Sequence, residues 1–201
     1  MPELIVLHYT AMRSAKAAIE RLCDPAHEVS AHYLISGQGQ VTHMVEEGMR
    51  AWHAGAGSWC GRGDVNSRSI GVELDNDGTS PFAAAQIDAV EDLLRGIMER
   101  WSIPAAGVIG HSDMAPGRKF DPGPRFDWAR LARQELAGQS CSKNPVMPTT
   151  ADAFCKLAWA AGYPQDADFE TLLGAVRLRF RQWAKGPLDG ADMALFPGPV
   201  L

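Results

Sequence analysis

The sequence predicts an α/β domain followed by a small all-α unit of three helices, and three observations carry that expectation. Short apolar runs at Leu4–Leu7, Ser69–Leu74 and Gly107–Gly110 have the length of buried strands, and between the last two lies a stretch with apolar residues at helical spacing. Residues 138–149 hold Ser, Asn, Lys and two prolines and read as a linker. Beyond them the apolar residues suit short helices. A chain of 201 residues suffices for one ordinary domain plus a small second one, so the expected division is 1–137, a linker over 138–149, and 150–201.

Taken in order, Leu4–Leu7 forms a buried strand that delivers His8 at its C-terminal end, where α/β proteins tend to place ligands. Ser14 caps a short helix through Leu22. Ala31–Ile35 and Val41–Val45 flank Ser36-Gly-Gln-Gly-Gln40 and read as a hairpin. Within Ser69–Leu74, Ile70, Val72 and Leu74 alternate onto one face and Glu73 onto the other. Asp75-Asn-Asp-Gly78 lacks the later ligands of a calcium loop and reads as a turn. Ser80 as N-cap and Pro81 at the first helical position open the clearest helix, carried by Ile87, Val90, Leu93, Leu94 and Ile97 to about Trp101. Gly107–Gly110 leads into His111, and 116–124 is too rich in proline and glycine for regular structure. Asp127–Leu136 closes the domain as a helix. In the tail, helices are expected over Asp152–Ala161, Asp168–Arg181 and near Ala191–Phe196. A unit of ~50 residues is marginal alone, so it is expected to lean on the first domain.

The composition, 46% hydrophobic and 21% charged, is that of a globular protein, and a net charge of −5 supplies neither the basic footprint of a nucleic-acid binder nor a polybasic face for anionic lipid. The expected partner is a small or neutral ligand, met by a monomer. Met1 leads directly into Leu4–Leu7 without the pattern of a secretory signal, which places the chain in the cytoplasm, with the periplasm as the alternative if a signal has been trimmed. Cys23, Cys60, Cys141 and Cys155 form no C-x-x-C pair and read as free thiols.

Five residues carry chemistry. His8 and His111 each end a strand and Asp121 lies in the irregular loop, so two imidazoles and a carboxylate can meet above the strand ends and hold zinc with one position open for water. Glu73 is suited to take a proton from that water, and Lys119 to stabilise an oxyanion. Each residue has a blander reading too. A histidine at a strand end also serves as a structural hydrogen-bonding group, Asp before Pro is common in turns, Glu73 suits a solvated face and Lys119 a surface charge. No H-E-x-x-H helix is present.

At His8-Tyr-Thr10, Ser30-Ala-His-Tyr-Leu-Ile35, Trp52-His-Ala-Gly55, Ser69-Ile-Gly-Val-Glu-Leu74, Gly110-His-Ser-Asp113 and Ala115-Pro-Gly-Arg-Lys-Phe-Asp-Pro-Gly-Pro124, the chain resembles the AmpD and AmiD zinc amidases over about residues 4 to 136. That resemblance implies a fold shared with peptidoglycan recognition proteins, a mixed central sheet flanked by helices with zinc in a surface groove. It implies His8, His111 and Asp121 as ligands of one Zn2+, Glu73 as the catalytic carboxylate and Lys119 as its cationic partner. By the same analogy Trp52, His53, Asn66, Arg68 and Arg118 are expected to bind substrate. His32 suits a core role as well as a groove contact, and His27 and His43 have none assigned.

The implied reaction is hydrolysis of the amide between N-acetylmuramic acid, or its 1,6-anhydro form, and L-alanine in peptidoglycan-derived muropeptides, as part of cell-wall recycling. Two other readings stand beside it: an AmiD-like amidase acting on polymeric peptidoglycan, and a non-catalytic peptidoglycan-binding sensor. Ala160-Ala-Gly-Tyr163, Leu178-Arg-Phe-Arg181 and Gly186-Pro-Leu-Asp-Gly190 resemble the small three-helix peptidoglycan-binding domain, so the tail either binds glycan or buttresses the first domain.

Overall fold

Strands buried on both faces become near-continuous apolar runs, and the two longest here, β1 (Leu4–Tyr9) and β4 (Ser69–Leu74), run parallel with Leu4 opposite Ser69 and His8 opposite Glu73. The computed structural model describes residues 1–140 and 148–196. Residues 141–147 of the expected linker, Cys141 among them, lie outside these; among the described residues Cys23, Cys60 and Cys155 are free thiols. β2 (Tyr33–Ile35), β3 (Val41–His43) and β5 (Val108–Gly110) complete a mixed sheet of order β3-β2-β4-β1-β5, in which only β3 is antiparallel to its neighbour. The expected hairpin is β2–β3, shorter at both outer ends than predicted. Its turn uses the Ser36 hydroxyl to accept from the Gln38 and Gln40 N–H groups. Gly39 takes φ +83 there, against the Ala85 carbonyl, where no side chain fits.

Side-chain alternation gives the sheet two covered faces. Ile5, Leu7, Ile70, Val72, Leu74 and Val108 pack beneath α2 (Ala84–Trp101) and α4 (Trp128–Arg133), which contribute Ile87, Val90, Leu94, Ile97, Trp128 and Leu131. Leu4, Val6 and Ile109 face the other way. They share one apolar cluster with Trp59, Val65 and the tail helices α5 (Ala151–Ala160), α6 (Phe169–Phe180) and α7 (Gly190–Met193), through Phe154, Ala158, Leu172, Val176 and Met193. His8 and Glu73 continue this second face toward the C-terminal ends of the strands, beyond the apolar cover.

Helix starts follow their caps. Ser14 caps α1 (Ala15–Cys23), Asp127 caps α4, Thr150 caps α5 and Asp168 caps α6, each accepting a first-turn N–H. The expected start of α2 at Pro81 is corrected to Ala84, because the Asp77 carboxylate takes the N–H and hydroxyl of Ser80 for its own turn and leaves no free cap there. α4 ends at Arg133 rather than Leu136, with Glu135 in the left-handed region at φ +59. α7 is a single turn, capped by Asp189, and a further one-turn helix, α3 (His111–Met114), was not expected. Among the described residues no helix is long and apolar enough to cross a membrane.

Candidate active site

Two strand ends and one loop converge. His8 leaves the end of β1, His111 opens α3 directly after β5, and Asp121 comes from the 115–124 loop. His8 Nδ1 lies 2.9 Å from His111 Nδ1 and 2.9 Å from Asp121 Oδ2, and His111 Nδ1 is 3.0 Å from the same oxygen. All three side chains are buried. The outer ring nitrogens are committed elsewhere: His111 Nε2 donates to the Ala54 carbonyl at 2.8 Å, and His8 Nε2 meets His53 Nδ1 at 3.0 Å. With protons on the outer nitrogens, both Nδ1 lone pairs face one point beside a carboxylate oxygen. This is a cation-binding donor set with its outer hydrogen bonds in place. The three donor atoms lie close enough together to hold a single ion.

The local electrostatics agree. Burial pushes the His8 imidazole down to about 4, aided by the neighbouring His111, so it is neutral and able to ligate at neutral pH. Burial alone would raise the Asp121 carboxyl, but the His111 and His8 side chains set against it outweigh this and hold the group below the usual carboxylate range. Glu73 is the opposite case. Burial, and then the Asp121 charge, push it up to about 8, while Lys119 pulls it back down. Its Oε2 is buried without a hydrogen-bond partner, an open acceptor at the cleft beside the histidines. That cleft is about 300 Å³ and is lined by His8, Glu73, His111, Lys119 and Asp121, with Trp52 at the rim.

Of the expected substrate contacts, Trp52 is 56% exposed and its ring carries the Arg50 guanidinium at 4.8 Å. Arg118 borders the cleft, donates to the Ala54 and Ala56 carbonyls and stands 3.3 Å from His111 Nε2. His53 borders it too but is buried. Its Nε2 lies 3.2 Å from the Ser69 hydroxyl, and its ring occupies the space where Gly71 lacks a Cβ. Asn66 and Arg68 require correction. The buried Asn66 Oδ1 accepts the His53 and Ala54 N–H groups at 3.0 and 2.7 Å, so it holds the loop instead of facing the cleft. Arg68 lies at the far end of β4, five residues from Glu73 and ~16 Å away at strand rise, bonded to Glu3 and to the Trp59 and Arg62 carbonyls. His32 is in the core, with Nδ1 accepting from Gly71 N–H and Nε2 donating to the Met49 carbonyl. Met12, Leu22, Val29 and Phe120 add an apolar rim that the motifs did not reveal; Phe120 sits inside the Ala115–Pro124 stretch, but nothing in the sequence separates a rim phenylalanine from a core one.

The model of the family Amidase_2, N-acetylmuramoyl-L-alanine amidase, matches residues 1–124. The N-acetylmuramoyl-L-alanine amidase AmiD of Escherichia coli (strain K12) is 38% identical over 150 residues, 67% of this chain and 53% of that protein. The 1,6-anhydro-N-acetylmuramyl-L-alanine amidase AmpD of Enterobacter cloacae is 42% identical over 103 residues, 51% of this chain and 55% of that protein. The chain thus spans about half the length of the curated relatives it matches. In three dimensions it is similar to the complex of AmiD from E. coli with the substrate anhydro-N-acetylmuramic acid-L-Ala-D-gamma-Glu-L-Lys, with a TM-score of 0.87 and 31% identity over 96% of this chain and 86% of that one. With the match of the family model over residues 1–124, this likeness shows that the chain belongs to the N-acetylmuramoyl-L-alanine amidase family Amidase_2.

Proposed function

We propose that this chain hydrolyses the amide between N-acetylmuramic acid, or its 1,6-anhydro form, and L-alanine in muropeptides, using one Zn2+ held by His8, His111 and Asp121. The observation that carries the reading is the meeting of His8 Nδ1, His111 Nδ1 and Asp121 Oδ2 within 3.0 Å beside the unpartnered Oε2 of Glu73. Two imidazoles and one carboxylate suit a catalytic zinc with a fourth position left open. Zinc bound there supplies a Lewis acid that polarises the amide carbonyl and acidifies water.

The chain's own residues do the rest. Glu73 Oε2 accepts a proton from the attacking water and returns it to the L-alanine nitrogen as the C–N bond breaks, leaving a lactyl carboxylate and a free stem peptide. Lys119 keeps Glu73 ionisable near neutral pH and donates to the oxyanion as the carbonyl becomes tetrahedral. Trp52 and Phe120, 56% and 57% exposed at the rim, offer apolar surface to the sugar and lactyl group. Arg118 holds the Ala54–Ala56 backbone beside His111 and presents its charge to the acidic stem peptide.

Soluble anhydro-muropeptides are the proposed substrate, met in the cytoplasm during wall recycling by a monomer with no nucleic-acid or membrane partner. A second reading, cleavage of polymeric peptidoglycan, is favoured by one feature. A groove of about 580 Å³ between Lys119–Phe120 and α6, lined by Glu170, Leu178 and Gln182, continues the cleft and leaves room for a longer ligand. Parallel assays with anhydromuramyl tripeptide and intact sacculi separate the two. Turnover of the tripeptide supports the recycling role, activity on sacculi alone overturns it in favour of the polymer, and loss of both contradicts the amidase.

A further inference from the structure

α3 has only four residues, too few to hold a helix by its own hydrogen bonds, yet it carries His111. What fixes it is Asp113, whose side chain is 1% exposed. Asp113 Oδ2 accepts from the Gly110 N–H at 2.7 Å and from Arg179 Nη1 at 2.9 Å, and its Oδ1 accepts from the Tyr163 hydroxyl at 2.8 Å. Gly110 is the residue immediately before His111. The other arm of the Arg179 guanidinium donates to the Val108 carbonyl in β5 at 2.9 Å, and its plane lies 3.8 Å over the Trp128 ring. Tyr163 follows α5 and Arg179 sits on α6, so both donors come from the tail. α3 also reaches a second candidate ligand, because the Ser112 N–H donates to the Asp121 carbonyl at 2.9 Å.

We propose that Tyr163 and Arg179 are positioning residues for the metal centre: through Asp113 they lock α3, and with it His111 and Asp121, in ligating geometry. This rests on the metal-site reading above and assigns the tail a part in it, whether or not the tail also meets glycan. Buried charge-assisted bonds of this kind are short and directional, so they fix where a backbone turn lies as well as whether it forms. Three of them meeting on one carboxylate leave α3 little room to shift.

The test compares three full-length variants. Tyr163→Phe removes one hydroxyl without changing shape, Arg179→Met removes the charge and both of its bonds, and Val176→Ala loosens the same α6 packing while every hydrogen bond to Asp113 stays. Zinc affinity is measured by competition with a chromophoric chelator, ligand geometry from the absorption spectrum of the cobalt-substituted protein, and stability from urea unfolding. Losing an outer-shell support typically costs a metal site ~10–100-fold in affinity. The expected result is a loss in that range with an altered cobalt spectrum for Tyr163→Phe and Arg179→Met, while Val176→Ala loses stability with affinity unchanged. Wild-type affinity and spectrum in Tyr163→Phe, or an equal affinity loss in Val176→Ala, overturns the proposal and leaves the tail a general stabiliser. Should Arg179→Met not fold, the isosteric Tyr163→Phe still decides. Affinity is read without substrate, so failure here shows as unchanged zinc binding in an active enzyme, whereas failure of the amidase reading shows as absent turnover by a wild type that binds zinc.

Discussion

In the proposed mechanism Glu73 and Lys119, far apart in sequence, bear on one proton. Burial holds the Glu73 carboxyl up at about 8 and Lys119 opposes that shift. Glu73→Gln keeps the size and the buried position but cannot accept a proton, so zinc content should remain and turnover should fall ~10²–10⁴-fold, the usual span for losing a general base. Near-normal turnover would reassign the base. Lys119→Met removes a cation that lowers the Glu73 carboxyl, so the ionised base appears only at higher pH. The acidic limb of the kcat/KM profile should therefore move up in pH, along with an overall loss of ~10²-fold or more from the missing oxyanion donor. An unshifted limb would separate Lys119 from Glu73. At this scale His8, His111 and Asp121 each had a common structural use, and it was the family resemblance that singled out the three side chains whose donor atoms the fold brings together. The sequence was not readable at Asn66 and Arg68, since a polar side chain in a glycine-rich segment looks the same whether it binds substrate or its own backbone.

Among the elements, the loop at Trp52–Ala54 does the most for the site, since it receives the outer nitrogens of both histidines: His8 through His53, and His111 through the Ala54 carbonyl. Asn66 holds that loop by two N–H groups. Asn66→Ala leaves both donors buried without a partner, a loss of about 2 kcal/mol in unfolding free energy, and should weaken zinc binding as well. A chemical denaturation curve and a zinc competition titration check the two effects, and an unaltered pair would deny the loop its role. Glu47 anchors the start of the same segment. Burial raises its carboxyl, but bonds from Arg100, Trp101 and Tyr33 outweigh this and lower it to about 2. A depressed folded-state value means that its stabilisation is complete above pH 4.5 and is lost as the pH falls toward 2. Glu47→Gln should therefore flatten the acid limb of thermal stability in that window, and a limb of unchanged slope would contradict the assignment. Element types were legible because apolar spacing separates helix from strand. The start of α2 was not, because Asp77 takes the Ser80 hydroxyl for its own turn and the sequence does not say whether that hydroxyl is left free to cap.

For the molecule as a whole, the sheet carries α2 and α4 on one face and the tail helices on the other, and the site opens where that second cover ends. Helical periodicity announces that α5 and α6 have an apolar side but not what that side covers. The seating of Phe154, Leu172 and Val176 against Leu4, Val6 and Ile109 was therefore invisible before the fold was seen, although the expectation that a small tail leans on a larger neighbour points the same way. The mixed order of the sheet followed from the family resemblance rather than from spacing, because a short apolar run does not state which neighbour it pairs with. The central claim, one catalytic zinc held by the convergence of strand ends, is tested most directly by titrating zinc into chelator-treated protein while following release of stem peptide from anhydromuramyl tripeptide. Activity should be absent at the start, rise linearly and break at one zinc per chain; turnover that survives chelation, or no turnover at full zinc occupancy, would contradict it.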